Sequence, residues 1–393
     1  VIEGADGLTK NGVGALALSG ANRFSGGLWV NAGTVTLSGT QAFTGGISAS
    51  GSTSRLEFTD DGNFGANEVT LSNGATLYRL SQAAGTVGTG RFLNLGTGGG
   101  VIGYGSIGSV LTMNHALQGA GRFTLSATGQ GINLSGNNAS HTGGFHISSG
   151  NLLFSDAASL PAVGQILIGA SGGLLASGAN TPQGWLDSDR LDTASTGALL
   201  LNTGPTNSQD VDFTGYSGLF LGGGNRINLG GANIVNYSGT MTPDGSTYRV
   251  TGGRGVTLAF ANTNAFTGSR SVIAGISSVT SSVRLNAANN HSGGTTVNGN
   301  TTVVAAASGA LGSGAVTVVS SGSMQMSGGL SLNNLLTLNG GPSDTAVGAL
   351  HGLAGANSWG GGISVASGSR IAAANTAGNS LTISGNIALG TNG

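Results

Sequence analysis

Short segments in which apolar residues alternate with small or polar ones recur along the chain. Ala15-Leu16-Ala17-Leu18, Thr34-Val35-Thr36-Leu37, Val69-Thr70-Leu71, Ala315-Val316-Thr317-Val318 and Leu381-Thr382-Ile383 are examples. A period of two over so few positions predicts short, half-buried strands. Gly-Gly, Asn-Gly and Ser-Gly pairs lie between them and supply the positive backbone φ of tight turns. No window sustains a 3.6-residue apolar period, and glycine at this density disfavours helix. Val303 to Val319 looks apolar, but Ser308-Gly309 and Gly312-Ser313-Gly314 break it into strand, turn, strand. No run reaches the roughly 20 apolar residues of a membrane-spanning helix.

These strands and turns form a repeated tile. Leu18 to Gly33 contains Asn22, Phe24, Gly26 and Gly27, and Leu37 to Gly51 contains Phe43, Gly45 and Gly46. Leu134 to Gly150 carries His141, Gly143 and Gly144, and Leu285 to Gly299 carries His291, Gly293 and Gly294. Leu258 to Gly275, with Phe266 and Gly268, and Leu353 to Gly368 are looser copies. Such a tile cannot bury its apolar face alone, so copies must stack and share a core. The prediction is an all-β solenoid across residues 1–393, a fragment of a longer protein, with coils of about 20 to 25 residues. Asn22 and Asn138, at matching positions, are candidates for polar ladders at the corners.

Composition sharpens this picture. Of 393 residues 77 are Gly, with no period of three, which excludes collagen. Only 13 basic and 14 acidic residues leave a neutral surface rich in hydroxyl and amide groups. A net charge of -1 without a basic run argues against nucleic acid as a partner. Absence of cysteine removes thiol chemistry and thiolate metal sites. The stretch from about 176 to 250 matches the tile worst. It holds Pro182, Pro205 and Pro243 and six of the 14 acidic residues, and reads as coils with inserted loops.

The string Leu8-Thr9-Lys10-Asn11-Gly12-Val13-Gly14-Ala15-Leu16-Ala17-Leu18-Ser19-Gly20-Ala21-Asn22-Arg23-Phe24-Ser25-Gly26-Gly27 resembles the passenger-associated transport repeat of bacterial autotransporters. Asn289-Asn290-His291-Ser292-Gly293-Gly294-Thr295-Thr296-Val297-Asn298-Gly299 resembles it too. The first copy matches the pattern throughout. The others drop the lysine, place His141 or His291 at the aromatic position, or break the glycine pair at Gly268-Ser269. The resemblance implies a right-handed parallel β-helix of pectin-lyase-like architecture, displayed at a bacterial surface or secreted. Outer-membrane anchoring would then come through a part not in this chain. It implies no catalytic residues.

The densest acidic stretch, with Trp185, Asp187, Asp189 and Asp192, is a candidate ligand loop. Two carboxylates beside a tryptophan platform would suit glycoside hydrolysis or calcium binding. Asp60-Asp61-Gly62-Asn63 lacks the spacing of a calcium loop and reads as a turn. Gly96 to Gly103 is followed by no helix pattern and reads as a turn between coils rather than a phosphate cradle. His141 and His291 stand where other copies have Phe, which points to packing. The expected function is non-catalytic adhesion or surface structure, without cofactor or metal. Its partners would be a glycan or other cell-surface receptor, or copies of the chain in a filament or sheath. A polysaccharide-binding or polysaccharide-degrading enzyme and a passive secretion spacer are the alternatives.

Overall fold

The computed structural model describes residues 1–105, 110–176, 180–202, 207–224, 233–343 and 347–390. Val1–Asp192 forms one compact unit, and a second begins at Thr193. Both are parallel β-solenoids, as the tile predicts.

In the first unit one wall is a parallel sheet of Ala15–Leu18, Gly33–Leu37, Ser54–Phe58, Ala75–Arg79, Gly100–Tyr104, Phe123–Leu134, Phe145–Phe154 and Ile166–Ala176, each paired with the next. A second wall is built from Leu8–Lys10, Leu28–Val30, Ile47–Ser50, Val69–Ser72, Phe92–Leu95 and Ala116–Gln118. Every pairing joins one coil to the next, so the alternation along each strand is repeated in register. Val35, Leu56, Leu77, Ile102, Leu125, Ile147 and Ile168 form one buried aliphatic column across the first wall. Each such side chain contributes about 1.5 to 3 kcal/mol of burial.

The second unit repeats the plan. Val250, Ala274, Val297, Val318 and Leu338 stack in register and are buried. Ile234–Tyr237, Thr257–Phe260, Ser281–Leu285, Thr301–Ala305, Ser323–Ser327, Leu350–Ala354 and Ile371–Ala373 make another wall. Ala15 lies opposite Thr34 and Arg55 opposite Thr76, steps of 19 and 21 residues. Longer steps of 29 and 27 residues separate Leu221 from Val250 and Leu336 from Ile363. The first of these falls in the stretch whose composition departs from the tile. There the small sheet of Val211–Asp212 and Met241–Thr242 is added. Pro205 lies outside the described residues.

Among the described residues helix is limited to Pro182–Leu186 and the short 3-10 turns Asp61–Phe64 and Ala157–Ser159. None is long and apolar enough to cross a membrane.

Candidate functional site: corner motif and side-wall trough

The part of the tile that recurs most closely along the chain is a corner. Phe24 and Phe43 are buried there and stack with centroids 4.5 Å apart and planes 6° from parallel. His141 and His291 fill the same slot and are fully buried. They meet Phe145 and Phe266 edge-on at 5.1 and 5.9 Å. His141 Nε2 lies 3.2 Å from the Gly144 carbonyl, and His291 Nε2 lies 3.0 Å from Thr295 Oγ1. Burial lowers both imidazole pKa values, that of His291 to about 4. Both rings are packed inside the corner, buried and edge-on to a neighbouring phenylalanine.

The asparagines do something different from the expected ladder. Asn22 Nδ2 does donate to Gln41 Oε1 in the next coil, at 2.7 Å. Asn22 Oδ1 also accepts the Ile2 N–H of the preceding coil, at 2.9 Å, and Asn138, Asn289 and Asn357 clamp the main chain in the same way. Their Oδ1 atoms accept the N–H groups of Leu117, Phe266 and Leu330 from the preceding coil, at 2.9, 3.0 and 3.0 Å. Asn138 and Asn289 also donate to the carbonyls of Ser159 and Ala310 in the following coil. A buried corner leaves backbone groups that no strand ladder reaches, and the amide, with one acceptor and two donors, satisfies both sides.

The glycine pair also divides its labour. A Cβ at Gly26 would collide with the Asp6-Gly7 backbone, one at Gly45 with Gly26-Gly27, and one at Gly143 with Gly121. The following residues Gly46, Gly144 and Gly294 have φ of 82°, 72° and 90°. The first glycine thus permits close stacking, and in these three copies the second supplies the turn. Gly27 takes no positive φ and lies close to the Gly45 carbonyl. A Cβ at Gly144 or Gly294 would also press on the next coil, so the division is complete at Gly45 and Gly46. Where Ser269 breaks the pair, Gly268 takes the positive φ of 72° itself.

The acidic loop is not a ligand platform built around Trp185. That indole is fully buried and packs against Phe154 at 5.8 Å, because it closes the Pro182–Leu186 turn over the core. Asp187 accepts from Gln183 Nε2 at 2.7 Å, Asp189 sits at a φ of 51°, and Asp192 is half-buried. Asp210 accepts the Thr240 N–H, and Asp212 accepts first the Thr214 hydroxyl and then its N–H; these bonds hold both carboxyls below the usual range. A general acid needs the opposite shift. Asn63 Oδ1 accepts the N–H groups of Thr59 and Asp60, making Asp60 to Asn63 a closed turn. Gly96 to Gly99 turns into the strand Gly100–Tyr104. Among the described residues no three His, Asp or Glu side chains gather where a metal could bind.

The side chain that stands out was hidden inside the first tile. On the second wall of the first unit, Leu28 and Val30 point inward and Trp29 between them is 43% exposed. Its six-membered ring occupies the space a Cβ at Gly7 would need and abuts Gly27. The ring thus packs against bare glycine backbone while the residue keeps 43% of its surface in solvent. In register with Trp29 on succeeding strands are Ser48, Thr70, Asn94 and Gln118. Beside that polar row runs a second one. Gly27, Gly46, Glu68 and Phe92 directly precede the paired residues Leu28, Ile47, Val69 and Leu93. The result is a shallow trough of about 200 Å³ floored by Gly45 and Gly46 and edged by Trp29, Ser48, Glu68, Thr70 and Asn94. Phe92, 39% exposed, lines a separate depression with Ala116, Gln118, Asn137 and Ser140. Two depressions in the second unit, near Asn333 and near Thr302, have no aromatic side chain in their lining. An outward aromatic in an otherwise strict in-out alternation is the sequence signal that marks Trp29.

Stacked coils, an aromatic slot, an amide clamp and a glycine pair define a parallel β-solenoid of repeated coils. The chain carries these repeats: the family described as passenger-associated-transport-repeat matches residues 8–37 and 280–303. Over 156 residues, 39% of the chain, it is 32% identical to the adhesin BmaC autotransporter of Brucella suis biovar 1 (strain 1330). The matched stretch is 4% of that relative's length. No solved structure matches the chain.

Proposed function

We propose that this chain is a stretch of a non-catalytic, surface-displayed passenger that adheres through its side walls, and that the Trp29 trough contacts neutral glycan. The observation that carries this reading is a 43%-exposed indole set against the Gly7 and Gly27 backbone, next to a row of hydroxyl and amide side chains. A sugar presents an apolar C–H face to an aromatic plane and hydroxyls at its edge, so this pairing suits it on both counts. The relative's name, an autotransporter adhesin, supports the same reading, and the repeats support placement at or beyond the cell surface.

Hydrolysis would need two carboxyl groups roughly 5 to 9.5 Å apart across a glycosidic bond. The trough lining contributes Glu68 alone.

The test is retention of the purified chain on surfaces coated with neutral oligosaccharides, beside the Trp29→Ala variant and with sedimentation velocity on both. Retention that the variant loses, without release of reducing ends, supports the proposal. Equal retention of both proteins, turnover of the glycan, or retention explained by self-association would each overturn it.

A further inference from the structure

We infer that the depression beside Phe92 is a second binding site, separate from the Trp29 trough, and that it takes an N-acetylated amino sugar. Phe92 opens the strand Phe92–Leu95 at an outward position and is 39% exposed. Its register partner on the next strand is Ala116, whose methyl group is too short to cover the ring. The turn that carries Asn137, Ala139 and Ser140 forms the far side, and the space between is about 200 Å³. This is room for a single substituted sugar ring and not for a chain.

The chemistry of the lining selects the sugar. Ala116 and Ala139 present methyl groups, and Gln118 and Asn137 present carboxamides. An acetamido group is a methyl joined to an amide, so it matches both. Asn137 Oδ1 already accepts the Ala139 N–H at 3.1 Å, which fixes the side chain and leaves Nδ2 to donate to the acetyl carbonyl. Gln118 lies two residues beyond Ala116 on the same outward face, and its Oε1 is the acceptor for the acetamido N–H. The C–H face of the pyranose then lies against Phe92. None of the lining side chains is charged, whereas the trough carries Glu68. A plain hexose offers neither the methyl nor the amide, and a site whose polar groups are matched by one ligand discriminates against an analogue that lacks them.

The experiment is saturation-transfer NMR and calorimetric titration of the purified chain with the methyl β-glycosides of N-acetylglucosamine, glucosamine and glucose. The acetyl methyl group is expected to receive the strongest saturation, and the N-acetyl sugar to bind about tenfold tighter than glucose. Phe92→Ala should lose that binding and Trp29→Ala should keep it, with circular dichroism unchanged in both because both side chains are exposed. Gln118→Leu keeps the bulk and removes the amide, so it should erase the preference and leave glucose binding as it was. Equal affinity for the three sugars, or a preference that persists in Gln118→Leu, would overturn the acetamido assignment. Binding that persists in Phe92→Ala, or that disappears in Trp29→Ala, would overturn the second site. No binding of the N-acetyl sugar by the unaltered chain would overturn the whole inference, while retention on neutral oligosaccharides that Trp29→Ala loses would still support the trough.

Discussion

The side-chain amide of Asn138 donates to the carbonyl of Ser159, one coil further on, at 2.5 Å, while its oxygen accepts the Leu117 N–H at 2.9 Å from the coil before. One fully buried side chain thus holds three successive coils at a corner. In Asn138→Ala two buried backbone groups lose their partners, at about 1 to 3 kcal/mol each. Asn138→Asp keeps the acceptor but loses the donor and buries a charge, so it should be worse. Urea denaturation measures both, and amide exchange should show the loss concentrated around residues 117, 138 and 159, because stability in stacked repeats is largely local.

The two glycines of a pair should respond unequally to the same substitution. Gly45→Ala drives a methyl group into the Gly26-Gly27 backbone, which cannot swing aside, and the expected cost is about 3 kcal/mol. Gly46→Ala meets open space and must only hold a φ of 82°, costing about 1 kcal/mol. Comparable losses in denaturant midpoint would contradict the division of roles.

Acid should weaken the fold through its histidines. Burial depresses His291 to about 4 from 6.5. It depresses His115 similarly, against the raising influence of Asp61 and with a smaller lowering contribution from Arg91. Between those pH values the unfolded chain binds protons that the folded chain does not. The stability held above pH 6.5 is therefore lost as pH falls toward 4, by on the order of 3 kcal/mol per group. His291→Phe, which places in the slot the residue found at Phe24, Phe43 and Phe266, should fold and show a flatter dependence of melting temperature on pH. An unchanged slope would refute the assignment.

Of the three tryptophans only Trp29 is exposed, since Trp185 and Trp359 are fully buried. Acrylamide quenching of the native chain should therefore resolve an accessible and a protected population. Trp29→Phe should remove the accessible one. An accessible population that survives in this variant would place another indole at the surface.

Strand positions could be read directly from residues such as Thr34 to Leu37 and Val69 to Leu71, because a two-residue period has one structural meaning when turns bound it this closely. The histidines could be placed in the aromatic slot because the tile itself aligns His141 and His291 with Phe24 and Phe43. The corner asparagines were visible as a repeated residue, but whether the amide that accepts from the coil before donates to a side chain of the coil after, as Asn22 does to Gln41, or to its backbone, as Asn138 does to Ser159, depends on the offset between neighbouring coils.

The sequence by itself determined the parallel β-solenoid, its aromatic corners and its neutral surface, because alternation, repeat and composition are properties of the chain read in order. Tertiary structure alone decided that Trp185 is core and Trp29 is surface. One indole closes a turn over Phe154 and the other is laid across Gly7, twenty-two residues earlier in the chain. Contacts between coils arise from the number of residues in each turn of the solenoid, and that length varies from coil to coil, so no single tile encodes what will lie beside it.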